Sequence, residues 1–260
     1  MNYFENRKER SDHAKEWTKL MTDCYEDDVV TAINSSEIID HTLDKLPDIK
    51  VIDSDSVKAI FDYYDSGESI CVLNFASFKE PGGKFYDGSS AQEESLCHSS
   101  TLYPVLRRFQ KEYYDVNKGM LNNALYRDRA IYSPEILFFE DNSLYKFDNE
   151  SDPRTKYVDV ITCACPNKTA AQKYRNIPDA VNSKVLRERI KFVLDIAEKY
   201  KEQILILGAY GCGVFGQDPY EVAKVFKDEL KNRDFSDVVF PIPGGDNLKA
   251  FEDVFKDVIK

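Results

Sequence analysis

Two adjacent glutamates and two glycine-rich stretches are the parts of this chain best equipped for chemistry. Gln92-Glu93-Glu94 follows the turn Pro81-Gly82-Gly83-Lys84 after an interval of seven residues. A Gly-Gly pair lets backbone amides approach a ligand closely and can form an anion-binding nest, beside which Lys84 adds a positive charge. Taken alone, the pair reads first as a turn after a strand. Neighbouring residues on a helix point about 100° apart, so Glu93 and Glu94 cannot work as a symmetrical facing pair. One can orient a substrate while the other moves a proton. Glu93 also has a purely structural use, because Ser90-x-x-Glu93 matches a capping box. Glu94 has no such use.

The second stretch is Leu207-Gly208-Ala-Tyr-Gly211-Cys-Gly213-Val214-Phe215-Gly216, running into Gln217-Asp218-Pro219. Four glycines in nine residues between a strand and a helix offer backbone amides, and the helix N-terminus behind them adds to an expected diphosphate cradle. Val214 and Phe215 can pack on a sugar or a base. Gly211-x-Gly213-x-x-Gly216 formally matches a dinucleotide fingerprint. That reading fails, because the match lies late in the chain and no strand ending in an acidic residue follows about 20 residues on.

Other constellations carry less. Cys163-x-Cys165 lacks a matching Cys or His pair, which argues against zinc. His13, His41 and His98 are scattered without ligand spacing. A Cys212–His98 nucleophile pair is conceivable, but Cys212 reads better as a small residue in a tight loop.

The elements that must hold these groups follow from periodicity. Residues 7–23 place Ala14, Trp17, Leu20 and Met21 on one helical face. A second helix, capped by Asp55 or Ser56, carries Val57, Ile60, Phe61 and Tyr64. Residues 70–75 and 158–165 are continuous apolar runs, the pattern of strands covered on both faces. A helix starts near Ala91, a strand is expected near 136–139, and residues 183–201 form an amphipathic helix. A strand at 203–207, a helix at 218–231, a strand at 238–242 and a helix at 247–259 complete the series. Strands alternating with helices argue an α/β fold with helices on both faces of a mixed sheet. Ligands of such sheets bind off the carboxyl ends of the strands, where both glycine-rich loops lie.

Composition narrows the classes. The chain has 260 residues, 42% of them hydrophobic, and a net charge of −11. Such a charge disfavours a broad nucleic-acid-binding surface, so a polyanionic ligand needs a local site. No apolar run is long enough for a transmembrane helix. Six cysteines, mostly inside apolar runs, read as free thiols in a reducing cytoplasm, and the charge favours a monomer.

Together the segments resemble the bacterial-type poly(ADP-ribose) glycohydrolases of the macrodomain superfamily. The family hallmark is three glycines, six to eight residues, then Gln-Glu-Glu. Asn74-Phe-Ala-Ser77, Ser95-Leu-Cys97, Thr162-Cys-Ala-Cys-Pro-Asn167 and Gly211-Cys-Gly-Val-Phe-Gly216 are also similar to the family, over roughly residues 7–258. The resemblance implies a three-layer α/β/α macrodomain with a mixed central sheet, its core at 69–260 behind a helical extension at 1–68. It implies ADP-ribose across the strand ends, with Gly82, Gly83 and Lys84 in one loop around the diphosphate and distal ribose. Gly211, Gly213, Val214, Phe215 and Gly216 would form the second phosphate loop. Asn74 and Ser77 would lie beneath the distal ribose, beside Gln92. Glu93 would hold a ribose hydroxyl and Glu94 would be the catalytic acid, with no metal or other cofactor. Two residues depart from the pattern. Lys84 stands at the third glycine, where it can crowd the loop or pair with phosphate, and Ser77 replaces an Asn common in related macrodomains. The implied function is cleavage of ribose–ribose bonds in poly(ADP-ribose). The alternatives are a non-catalytic ADP-ribose reader and a hydrolase removing single ADP-ribose units from protein or nucleic acid.

Overall fold

The computed structural model describes residues 7–39, 47–64, 67–140 and 154–259. Its centre is one seven-stranded sheet. The strands are β1 (Glu37–Ile39), β2 (Asp48–Ile52), β3 (Ile70–Phe75), β4 (Ala130–Phe139), β5 (Thr155–Cys163), β6 (Ile204–Ile206) and β7 (Asp237–Pro241), in the spatial order β1-β4-β5-β3-β6-β7-β2. The five strands from β5 to β2 are parallel, and β4 and β1 continue the sheet antiparallel.

Alternation along each central strand feeds two cores. Cys71 and Leu73 of β3, Leu205 of β6 and Phe240 of β7 point to one face. Ile70, Val72, Ile204, Ile206 and Val239 point to the other. Both faces are therefore apolar, which is why these strands read as unbroken hydrophobic runs rather than alternating ones. The first face is covered by α8 (Asp179–Lys199), α9 (Pro219–Glu229) and α10 (Gly245–Phe255). The second is covered by α1 (Arg7–Cys24), α2 (Glu26–Ser35), α3 (Ser56–Tyr63), α4 (Gln92–His98) and α5 (Leu102–Arg108). Helix α6 (Val116–Lys118) and helix α7 (Lys168–Arg175) lie in the connections. This is the three-layer α/β/α arrangement with a mixed sheet.

One expectation needs correction. Residues 1–68 are not only a helical extension, because β1 and β2 come from this segment and form the two opposite edges of the sheet. Both strands are short and carry polar residues, so neither stands out by hydropathy. The strand expected at 136–139 is the second half of the longer β4. Pro134 and a left-handed Glu135 (φ 53°) interrupt it, and the register with β5 shifts between Ser133 and Ile136. A proline cannot donate to the ladder, so it sits at such an irregularity.

Candidate active site

The end of β3 and the start of α4 meet through side chains of the Gln-Glu-Glu run. Gln92 Oε1 accepts from the Phe75 amide at 2.9 Å, while its Nε2 donates to Leu73 O at 2.8 Å and Ser56 Oγ at 3.1 Å. Its amide thus ties α4 to β3 and α3 rather than facing open space. Glu93 does not form the expected capping box. Ala91 occupies the cap with no side-chain bond, and the Glu93 carboxylate reaches Ser77 N (2.7 Å, through Oε2) and Asn74 Nδ2 (3.3 Å, through Oε1). The Asn74 side chain and the Ser77 amide, at and just past the end of β3, draw the Glu93 carboxylate away from the helix cap. Glu94 Oε1 accepts from the Lys84 amide at 2.9 Å.

Both glutamates are buried, at 3% and 6% exposure. Carboxylates are seldom this buried without a cationic partner. Burial pushes Glu93 up to about 8, and the neighbouring Glu94 charge adds to this. The amides of Ser77 and Gly82 and the Asn74 side chain oppose it. Glu93 therefore holds a proton at neutral pH.

Gly83 explains why the loop carries glycine. It is left-handed (φ 59°), and a Cβ there would lie 2.8 Å from Glu94 Oε1 and 2.9 Å from Glu93 Oε2. Both carboxylates thus converge on one point, reachable because Gly83 has no side chain. Gly82 is also left-handed (φ 66°), and a Cβ there would enter the Tyr103 ring. Lys84 is not left-handed, so a lysine in the third position strains no backbone and its side chain is exposed.

Asn74 is fully buried. Its Nδ2 also donates to Thr162 Oγ1 at 3.2 Å, and its Oδ1 has no donor among the described residues. Ser77 contributes its amide to Glu93, while its hydroxyl accepts from Glu80 N at 3.2 Å and so closes its own turn.

The structure packs the second glycine loop against the end of β3 and the residues that follow it. Phe75 packs on Tyr210 with centroids 5.5 Å apart, and Phe78 stacks on Tyr126 (4.3 Å), which meets Phe215 edge-on (6.0 Å). Turn bonds from Cys212 N to Ala209 O, Gly216 N to Gly213 O and Gln217 N to Gly211 O shape the loop. Among the described residues, the amides of Gly211, Gly213, Val214 and Phe215 meet no acceptor. Four such donors on one short loop suit oxyanions. Val214 is 86% exposed. The α9 N-terminus does not add to this cradle as expected. Pro219 has no N–H, and Asp218 accepts from the amides of Tyr220 (2.8 Å) and Glu221 (3.1 Å).

The lesser candidates separate. His98 pairs with His13, Nδ1 to Nδ1, at 2.8 Å. Burial first, then His13 and Arg10, bring His98 down to about 3, so it stays neutral. Burial holds the Cys212 thiol up at about 12, which removes it as a thiolate nucleophile. The Cys163 thiol is likewise held up at about 11, and Cys165 also lies above the ordinary range. His41 lies outside the described residues. Among the described residues no cluster of His, Cys, Asp or Glu could hold a metal, and no helix is long and apolar enough to cross a membrane.

Several residues near the site carry no sequence signal. Arg7 Nε donates to Asp87 O at 2.6 Å, Arg10 Nε donates to Gly88 O, and Ser11 Oγ donates to Tyr86 O. The first turns of α1 thereby clasp the chain just after the Gly82-Gly83 loop. Contacts across 75 to 80 residues of sequence have no local pattern to reveal them.

Residues 3–141 match the family described as "Microbial-type PARG, catalytic domain", where PARG denotes poly(ADP-ribose) glycohydrolase. The poly(ADP-ribose) glycohydrolase from Thermomonospora curvata is 26% identical, with a TM-score of 0.81, over 95% of this chain and 100% of that one. The same enzyme bound to the inhibitor ADP-HPD is 26% identical, with a TM-score of 0.78, over 94% and 99%. The enzyme from Deinococcus radiodurans in complex with ADP-ribose is 29% identical, with a TM-score of 0.76, over 88% and 97%. No curated protein sequence matches. By a family match that spans more than half its length, the chain belongs to the microbial-type poly(ADP-ribose) glycohydrolase catalytic domains.

Proposed function

We propose that this glycohydrolase cleaves the ribose–ribose O-glycosidic bond of poly(ADP-ribose), with Glu94 as acid and base and Glu93 as the ribose-holding partner. The observation that carries the reading is the convergence of both carboxylates on the point that Gly83 leaves open. A diphosphate on the free amides of Gly211, Gly213, Val214 and Phe215 would anchor the distal unit.

Glu94 donates its proton to the oxygen leaving the anomeric carbon. The C–O bond breaks with its electron pair on that oxygen, and the ribose becomes an oxocarbenium ion. The anchored diphosphate stabilises this cation. Water then adds to the anomeric carbon and gives its proton to the Glu94 carboxylate, which restores the acid. Glu94 suits this role because, among the described residues, only one of its oxygens is taken, by Lys84 N, whereas both Glu93 oxygens accept bonds. Asn74 and Gln92 are positioning residues in this scheme. ADP-ribosylated proteins or nucleic acids are secondary substrates. The buried free thiols fit a cytoplasmic enzyme.

The test is the product of digesting purified poly(ADP-ribose). Free ADP-ribose is expected by chromatography. No release, with ADP-ribose still binding in calorimetry, would overturn the reading in favour of a reader or a hydrolase of single-unit linkages.

A further inference from the structure

A groove of about 380 Å³ opens beside the catalytic loop, and Gly83 is part of its wall. Lys84, Tyr86, Tyr103 and Arg107 line it, and none of its walls comes from residues 211–216. An ADP-ribose unit anchored on the second glycine loop therefore leaves this groove free. Gly83 connects the two spaces, because the carboxylates converge on it from the inside.

The charges in the groove are unequal in availability. Its two acids are already paired with bases outside it, Glu80 with Lys118 at 3.2 Å and Asp87 with Arg7 at 3.6 Å. Lys84 and Arg107 are exposed and have no ion pair among the described residues. In a chain of net charge −11, two unpaired cations in one groove form a local anion site. Tyr86 and Tyr103 stand edge to face, with centroids 4.9 Å apart at 84°. Tyr86 is only partly buried, which leaves ring surface for a base to stack on. The volume is within the range of small-molecule sites.

We propose that this groove is the acceptor subsite, which receives the ADP-ribose unit on the leaving side of the scissile bond and counters its diphosphate with Lys84 and Arg107. The inference rests on the glycohydrolase reading above. It gives Lys84, at the position of the third glycine, a use on the leaving side of the loop. The leaving unit departs with the proton from Glu94 on its ribose oxygen, so the groove binds that unit in both substrate and product.

The test compares two substrates. One is poly(ADP-ribose); the other is ADP-ribose carrying a neutral aryl leaving group at the same anomeric carbon. With Arg107→Glu, kcat/KM for the polymer should fall at least about tenfold, the scale of one lost charge-assisted bond to phosphate. For the aryl substrate kcat/KM should stay within about twofold, as should the Kd for ADP-ribose. Arg107→Lys should recover most of the polymer activity. Equal losses on both substrates, or no loss on the polymer, would overturn the acceptor subsite. Natural protein inactive on both substrates would instead strike the glycohydrolase reading itself, and the subsite with it.

Discussion

Gly213 is the glycine of the second loop's Gly211, Gly213 and Gly216 whose presence the free protein does not require. Gly211 and Gly216 are left-handed and would drive a Cβ into Cys165 and Thr169, but Gly213 is not left-handed and a Cβ there meets nothing within 4 Å. What remains is the close approach of a ligand to its free amide. Gly213→Ala should therefore change stability by less than about 0.5 kcal/mol. It should weaken ADP-ribose binding by about tenfold, or about 1.4 kcal/mol. Thermal melting and calorimetry on the same variant check both halves, and an unchanged Kd would remove the loop from the site. Glu93 makes a second residue-scale prediction. Its pKa rises from 4.5 in the unfolded chain to about 8 in the fold, so the folded state binds more protons between those values. Stability should then fall with rising pH across that window, by about 1.4 kcal/mol per unit from this group. Glu93→Gln should be more stable than the natural chain at pH 8 and lose that advantage toward pH 5. Urea melts at several pH values read this directly. An advantage that is the same at pH 5 and pH 8 would mean that Glu93 is not the titrating group.

At the scale of elements, Gln92 is the joint between strand and helix. It satisfies the Phe75 amide and the Leu73 carbonyl with one side chain. Gln92→Ala should cost roughly 2–4 kcal/mol, because two backbone groups lose their partner. It should also lower kcat about tenfold or more without touching either carboxylate, since misplacement of a catalytic group by about 1 Å is costly. Denaturant melts and steady-state kinetics test the pair of effects, and unaltered kcat would show that α4 is held elsewhere. The sequence made the buried parallel strands legible because both faces are covered, and the helices α1, α8 and α9 legible through amphipathic spacing and the Asp218-Pro219 cap. It hid β1 and β2, which are short and partly polar, and the first half of β4, broken by Pro134. It also hid the direction of Glu93. The capping box at Ser90 is a sound local pattern, and only the fold brings Ser77 N and Asn74 within reach. The glycine spacing indicated the two loops, while the groove at Arg107 and the α1 clasp depend on contacts that no spacing encodes.

At the scale of the whole molecule, the sheet joins residues distant in sequence. β2 pairs with β7 along five residues and β1 pairs with β4, so residues before 69 close both edges. Trp17 of α1 is fully buried, donates its indole N–H to Ser100 O at 3.0 Å and meets Phe139 edge-on. Residues 69–260 alone should therefore lack a cooperative thermal transition and fail to bind ADP-ribose, since they lose both edge strands and the helix packed on the Gln-Glu-Glu segment. A cooperative melt of that fragment by circular dichroism would show that the first 68 residues are an accessory. The central claim concerns which of the two buried carboxylates moves the proton. The measurement that tests it most directly is single-turnover hydrolysis of poly(ADP-ribose) by Glu94→Gln, paired with ADP-ribose calorimetry on the same variant. The account predicts a rate lowered by about a hundredfold to ten-thousandfold, with Kd within about threefold of the natural chain. Hydrolysis at near the natural rate by Glu94→Gln, with the loss falling on Glu93→Gln instead, would contradict it and hand the acid to Glu93.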